Sequence, residues 1–127
     1  MSDVWYTVSM RNIIISGFFL LALLCLSVFI FDPTHLYFEL PWLDIPMHIL
    51  GGFGVASLVI AVATHGKQKL SFVHIMILYL CVASVWELYE FAHDILRGTV
   101  WNGWQDTIKD LFDGAIGSTV AFFLLKK

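Results

Sequence analysis

Residues 13–31 read IIISGFFLLALLCLSVFIF, nineteen residues in succession without a charge. A bilayer's hydrocarbon core is about 30 Å thick and takes about 20 apolar residues of helix to cross. Arg11-Asn12 precedes the run and Asp32-Pro33 follows it. A secretory signal has an apolar region of about 7–15 residues that ends at a small-residue cleavage site. This run is longer and ends in Phe31-Asp32-Pro33, so it reads as a retained membrane span.

The rest of the chain follows suit. Of 127 residues, 59% are hydrophobic and 13% charged, against about 45–50% and about 25% in an ordinary soluble domain. Polar surface on that scale cannot cover a soluble core, which excludes a soluble enzyme, a disordered chain and a disulfide-stapled secreted domain. The formal charge of -3 offers no basic footprint for nucleic acid. Cys25 and Cys81 lie in apolar runs and read as small apolar residues.

Three more spans are expected, at about 45–64, 70–96 and 106–125. Pro46 opens the second near its first turn, where a missing N–H costs little. The predicted fold is all-α: a four-helix transmembrane bundle forming a single integral membrane domain over 1–127, with a short interfacial segment between helices 1 and 2. Lys and Arg accumulate on the cytoplasmic side of membrane proteins. Four spans put Arg11, Lys67, Lys69, Lys126 and Lys127, five of the seven basic residues, on one side, with Arg97 and Lys109 opposite. Both termini are therefore expected in the cytoplasm. Trp42, Trp101 and Trp104 then fall at the outer interface, and Trp5 and Tyr6 at the inner one.

The ten acids distribute unevenly in this topology. Only Asp3 is on the cytoplasmic side; the other nine occupy the outer loops or the outer half of the bundle. At about 1.5 Å per residue, Asp110 and Asp113 lie roughly 6 and 10 Å down the last helix, Glu90 and Glu87 roughly 10 and 15 Å down the third, and His48 roughly 6 Å below Asp44. Residues three, four and seven apart share a helix face. Asp44, His48 and Gly51 thus make one stripe, Glu87, Glu90 and Asp94 a second, and Asp106, Asp110, Asp113 and Gly117 a third. Gly51, Gly52, Gly54 and Ala56, with Gly114 and Gly117, flank the stripes, and small residues let membrane helices approach closely.

A charge at mid-bilayer costs about 2.5–3.5 kcal/mol on insertion scales. Seven acids (Asp44, Glu87, Glu90, Asp94, Asp106, Asp110 and Asp113) face two local cations, Arg97 and Lys109. Protonation, entering water or a bound metal must balance them. Asp44 and His48 at i, i+4 suit one cation, and equally suit a helix N-cap beside a bundle histidine. Glu87 to His93 contains Glu-x-x-His, a spacing used on two helices in carboxylate-bridged metal sites and present here once. Asp106 and Asp110 gain from the helix dipole; Asp113, two turns in, gains little. Arg97 either neutralises the pocket or snorkels to the surface. No Gly-x-Ser-x-Gly, glycine-rich phosphate loop or His-Glu-x-x-His is present.

The order Asp-x-x-x-His-x-x-Gly-Gly, Trp-Glu-x-x-Glu and Trp-x-Asp-x-x-x-Asp ending in Gly-x-x-Gly occupies 44–52, 86–90 and 104–117. It resembles the YjdF-type family of small bacterial inner-membrane proteins and is more distantly similar to VanZ-like proteins. The resemblance implies an envelope protein of the bacterial plasma (inner) membrane and, in the VanZ case, a link to glycopeptide resistance.

The leading expectation is an outer-leaflet carboxylate/His site that binds a divalent cation (Zn, Mn, Mg or Fe) for metal-assisted chemistry on a lipid or cell-envelope intermediate. Asp44, His48, Asp110 and Asp113 are its candidate metal ligands and Glu87 and Glu90 its candidate catalytic carboxylates. Arg97, Asp94, Asp106 and Trp104 are candidates for binding substrate. The alternatives are a proton- or cation-coupled binding or transport protein, for which homo-oligomerisation is expected, and a non-catalytic accessory subunit. The lipid bilayer is the expected partner in all three.

Overall fold

The computed structural model describes residues 2–98 and 103–125, with side chains from residue 10 onward. Trp101, Lys126 and Lys127 lie outside the described residues, as do the side chains of Trp5 and Tyr6. The described chain is mostly helical, with turns at 32–35 and 66–67 and no strand among its residues. It forms α1 (Ser2–Leu26), α2 (Leu36–Glu39), α3 (Asp44–His65), α4 (Phe72–Arg97) and α5 (Trp104–Leu125). Among the described residues, three segments are long and apolar enough to cross a membrane: Met10–Phe31, Pro41–His65 and Phe72–Arg97. Helix α5 has comparable length but carries Asp106, Lys109, Asp110 and Asp113 in its first three turns. The described residues thus form five α-helices, four long and one of a single turn, and one long helix is more polar than the rest.

Local chemistry sets the ends. Ser71 caps α4, its Oγ accepting the His74 N–H and standing 2.6 Å from His74 Nδ1. Gly98 ends the same helix in the left-handed region at φ 67°, a conformation a Cβ disfavours. Helix α1 continues into a π-turn over Ser27–Phe31, where the Asp32 N–H donates to the Ser27 carbonyl at 3.0 Å. The segment that follows folds back against this turn: Ser27 Oγ and the Tyr37 hydroxyl are 2.9 Å apart, and the Phe31 and Tyr37 rings meet edge-on at 5.7 Å. Burial pushes the Tyr37 phenol above its ordinary pKa, so it stays protonated. The expected segment between helices 1 and 2 is therefore α2 followed by a 3-10 turn over Pro41–Leu43.

Helix α3 is the centre of the packing. A Cβ on Gly52 would strike the backbone of Gly114, and one on Gly117 would strike the carbonyl of Ile49. The α3 and α5 backbones are thus in direct contact, and Ser118 Oγ donates to the Gly52 carbonyl at 2.9 Å across the seam. Ala56 and Ala121 are fully buried nearby, with Ile75 of α4 and Phe122 packed on them. From α4, the Tyr79 hydroxyl donates to the Leu111 carbonyl at 2.8 Å, and its ring fills the space above Gly114. Helix α1 reaches α3 through Phe19 and Leu20, which lie over Gly54. The outside is apolar: Phe18, Phe29, Phe112 and Phe123 are each at least 66% exposed. Such an apolar exterior suits lipid.

Candidate functional site

The α3–α5 contact puts Asp44 and His48 of α3 beside Asp106, Lys109 and Asp110 of α5. No side chain caps the start of α3. Asp44 is instead drawn into the interhelical cluster: its Oδ1 is 3.2 Å from His48 Nε2 and its Oδ2 accepts from Lys109 Nζ at 2.8 Å. Lys109 also pairs with the Asp110 carboxylate and lies 3.6 Å from Asp106 and 3.9 Å from Asp113. One ammonium therefore serves four carboxylates. Asp110 is almost fully buried and lies 3.7 Å from His48 Nε2.

Helix α4 supplies the other wall. One oxygen each of Glu87, Glu90 and Asp110 and a ring nitrogen of His48 lie within 4.8 Å of one another. A second group, Asp44, Asp106 and Asp110, meets the same limit. The two differ in one respect: Lys109 Nζ contacts every member of the trio, whereas it contacts only Asp110 of the quartet. A cavity of about 370 Å³ stands above these groups, with Asp32, Asp44, Glu90, Asp94, Asp106 and Asp110 among its lining acids. Trp86, Tyr89 and His93 form an aromatic ladder on its α4 side, with ring centroids 5.2 and 5.7 Å apart.

A second cavity of about 290 Å³ continues from the first along the helices. Leu20, Leu23 and Leu24 of α1 form one wall, Tyr79, Val82 and Ala83 of α4 the other, and Met47, Gly51 and Val55 of α3 the floor. Ser27, Tyr37, Trp86, Glu87 and Glu90 border both cavities. His48 borders only the apolar one and Asp110 only the polar one, so the quartet stands at their boundary.

Of the residues expected at a site, Asp44, His48, Glu87, Glu90, Asp106 and Asp110 come together, and Asp94 lines the same cavity. Asp113 belongs to neither group of potential ligands; its Oδ2 is buried with no hydrogen-bond partner, 3.9 Å from Lys109. Arg97 stands apart, 3.5 Å from Asp32, which His93 also contacts at 3.3 Å. Trp104 is 73% exposed and lines neither cavity. Sequence reasoning passed over Lys109 as the hub, although its spacing from Asp106 (i−3) and Asp113 (i+4) carries that signal. It also missed Asp32 and Tyr37, which reach the cavity through the π-turn and the fold-back after it.

Neither a curated protein nor a solved structure matches the chain. A chain with three apolar helices able to cross a bilayer, and with ionisable groups gathered at one end of its helices, is an integral membrane protein by its physics. A family model described as "Predicted membrane protein (DUF2238)" matches residues 4–127, and the chain belongs to that family.

Proposed function

We propose that this is a four-span bacterial inner-membrane protein of YjdF type whose acidic chamber binds a divalent cation near the outer leaflet. In this reading α5 is the fourth span, the whole chain is one integral domain, and both termini are cytoplasmic. The polar turns of α5 are shielded from lipid because Asp110 and Lys109 are satisfied by α3. Glu87, Glu90, Asp110 and His48 hold the cation. Imidazole with carboxylates suits Zn, Mn or Fe better than Mg, which prefers oxygen and water.

One observation carries the proposal. Four potential ligands from three helices converge at the quartet without a lysine at its centre, while the neighbouring trio already surrounds the Lys109 ammonium. Buried carboxylates are paired or coordinate metals; Lys109 reaches the buried Asp110, which both groups share, but neither of the half-buried Glu87 and Glu90. A metal at the quartet would activate water and polarise a phosphoryl or acyl oxygen of a substrate entering from the leaflet. Metal analysis of the purified protein tests this directly. Wild type is expected to hold one metal per chain, and Glu87→Gln and Glu90→Gln to hold none. A metal-free wild type, or unchanged stoichiometry in both variants, overturns it.

The coupled-transport alternative has one observation in its favour: Glu87 and Glu90 border both cavities, so a proton on either could exchange as a ligand passes. It requires pH-driven flux in liposomes that Glu90→Gln abolishes.

A further inference from the structure

The two cavities are far larger than an ion requires. Metal–ligand distances of about 2.0–2.6 Å occupy a small part of a 370 Å³ space, whereas organic ligands fill pockets of roughly 300–1,000 Å³. The lining changes character in a fixed order along the helices. First comes the apolar groove between α1 and α4, floored by Gly51 and Val55. Next is the boundary, where Glu87, Glu90, Asp110 and His48 converge. Last is the chamber, where Tyr89 and His93 stand with Asp94, Asp106 and the Lys109 ammonium, and where Trp86 and Tyr37 reach in from the boundary.

Each zone selects a chemical group. The groove selects an acyl chain. A metal at the boundary selects an anionic oxygen ligand such as a phosphate. Aromatic faces mixed with carboxylates select an ammonium, through cation–π attraction and charge. With the proposed cation at the carboxylate/His boundary, the charge sequence neutral, positive, negative is the complement of a phospholipid with an amine head: neutral chain, anionic phosphate, cationic ammonium. Lys109 shows the last preference within the chain itself, since its ammonium rests among Asp44, Asp106 and Asp110. From this order we infer that the ligand is a zwitterionic, ammonium-headed phospholipid, with one acyl chain in the α1–α4 groove, its phosphate at the quartet and its amine in the aromatic–acidic chamber. The phosphate position rests on the proposed cation; the chain and amine positions do not.

The test uses the full chain, purified in detergent with Mn²⁺, and two lysophospholipids of one chain length, with phosphoethanolamine or phosphoglycerol heads. Retention by native mass spectrometry is expected to favour the ethanolamine lipid by about tenfold, since only that head carries the ammonium. Asp94→Asn together with Tyr89→Ala, both in the chamber and not the groove, should shrink the preference below about threefold by removing one charge and one aromatic face. Gly51→Leu fills the groove at a position where an added Cβ meets nothing within 4 Å. It should lower retention about tenfold with metal content unchanged, as lost burial of an acyl chain requires. Val82→Trp narrows the same groove from α4 and gives the same result should Gly51→Leu fail to accumulate.

Equal retention of the two lipids overturns the inference, as does wild-type retention in both groove variants. The metal content of the same samples separates the two readings. A metal-free protein that still prefers the ethanolamine lipid and loses it in Gly51→Leu overturns the cation and upholds the amphiphile. A metal-loaded protein with no lipid preference does the reverse.

Discussion

Helix α3 presents two unlike sides through adjacent glycines. Both border the α1–α4 groove, but a Cβ on Gly52 would strike the backbone of Gly114, whereas one on Gly51, about 100° around the helix, would meet open space. The α3–α5 seam is built from Gly52, Ala56, Gly114, Gly117, Ser118 and Ala121, and its backbones touch. The groove is walled by Leu20, Leu23 and Leu24 of α1 and by Tyr79, Val82 and Ala83 of α4. In lipid, where hydrophobicity does not drive helices together, close backbone packing does. The seam therefore fixes where Asp44, His48 and Asp110 stand, and the groove leaves a way in to them. Rigidity on one side and access on the other are what a buried polar site in a membrane requires.

The same small substitution separates the two sides. Gly117→Ala places a methyl against the Ile49 carbonyl and the Phe53 amide, which are backbone atoms and cannot rotate away. A loss of about 3 kcal/mol or more is expected, at the upper end of overpacking effects. It would appear as a sharply lowered Tm in detergent, and an unchanged Tm would mean that the seam is not closed.

Lys109→Met comes next. It leaves four carboxylates without their shared ammonium, and removing one partner of a fully buried pair costs about 3–5 kcal/mol. Because the Lys109 side chain is 39% exposed, about 2 kcal/mol is expected here, with Lys109→Arg retaining most of the stability. Added Mn²⁺ should restore part of the lost Tm, since the vacated trio of Asp44, Asp106 and Asp110 then has room for a cation. Failure of Mn²⁺ to stabilise the variant more than wild type would sharpen the distinction between an ammonium site and a metal site. The smallest effect is expected for Gly51→Ala, which meets no neighbour. It should leave stability unchanged or raise it by up to about 1 kcal/mol, by helix propensity alone.

Much of this could be read before any coordinates. The uncharged stretch 13–31 and the 59% apolar composition point to helices in lipid, because a continuous apolar run of that length satisfies its backbone N–H and C=O groups in hydrocarbon by hydrogen bonds within its own helix. Helical periodicity placed His48 with Asp44, and Glu90 with Glu87, since spacings of three and four are local geometry. The YjdF-type likeness on 44–52, 86–90 and 104–117 falls within the residues of the family match.

The chain's own covalent order also determined which residues were available: small ones on α3 and α5, acids near one end of three helices, and a lysine one helical turn from Asp106 and from Asp113. Tertiary structure decided how these were shared out. Only the register of α3 on α5 gave Lys109 to Asp44 and Asp110 and left the quartet without a lysine at its centre. Only the chain path after the π-turn set Asp32 beside His93 and Arg97, so that Arg97 pairs there and not at the quartet. Periodicity fixes the face of a residue on its own helix, but the partner across a seam depends on the rotation and translation between helices. Those are set by how closely whole backbones pack, a property no single segment contains.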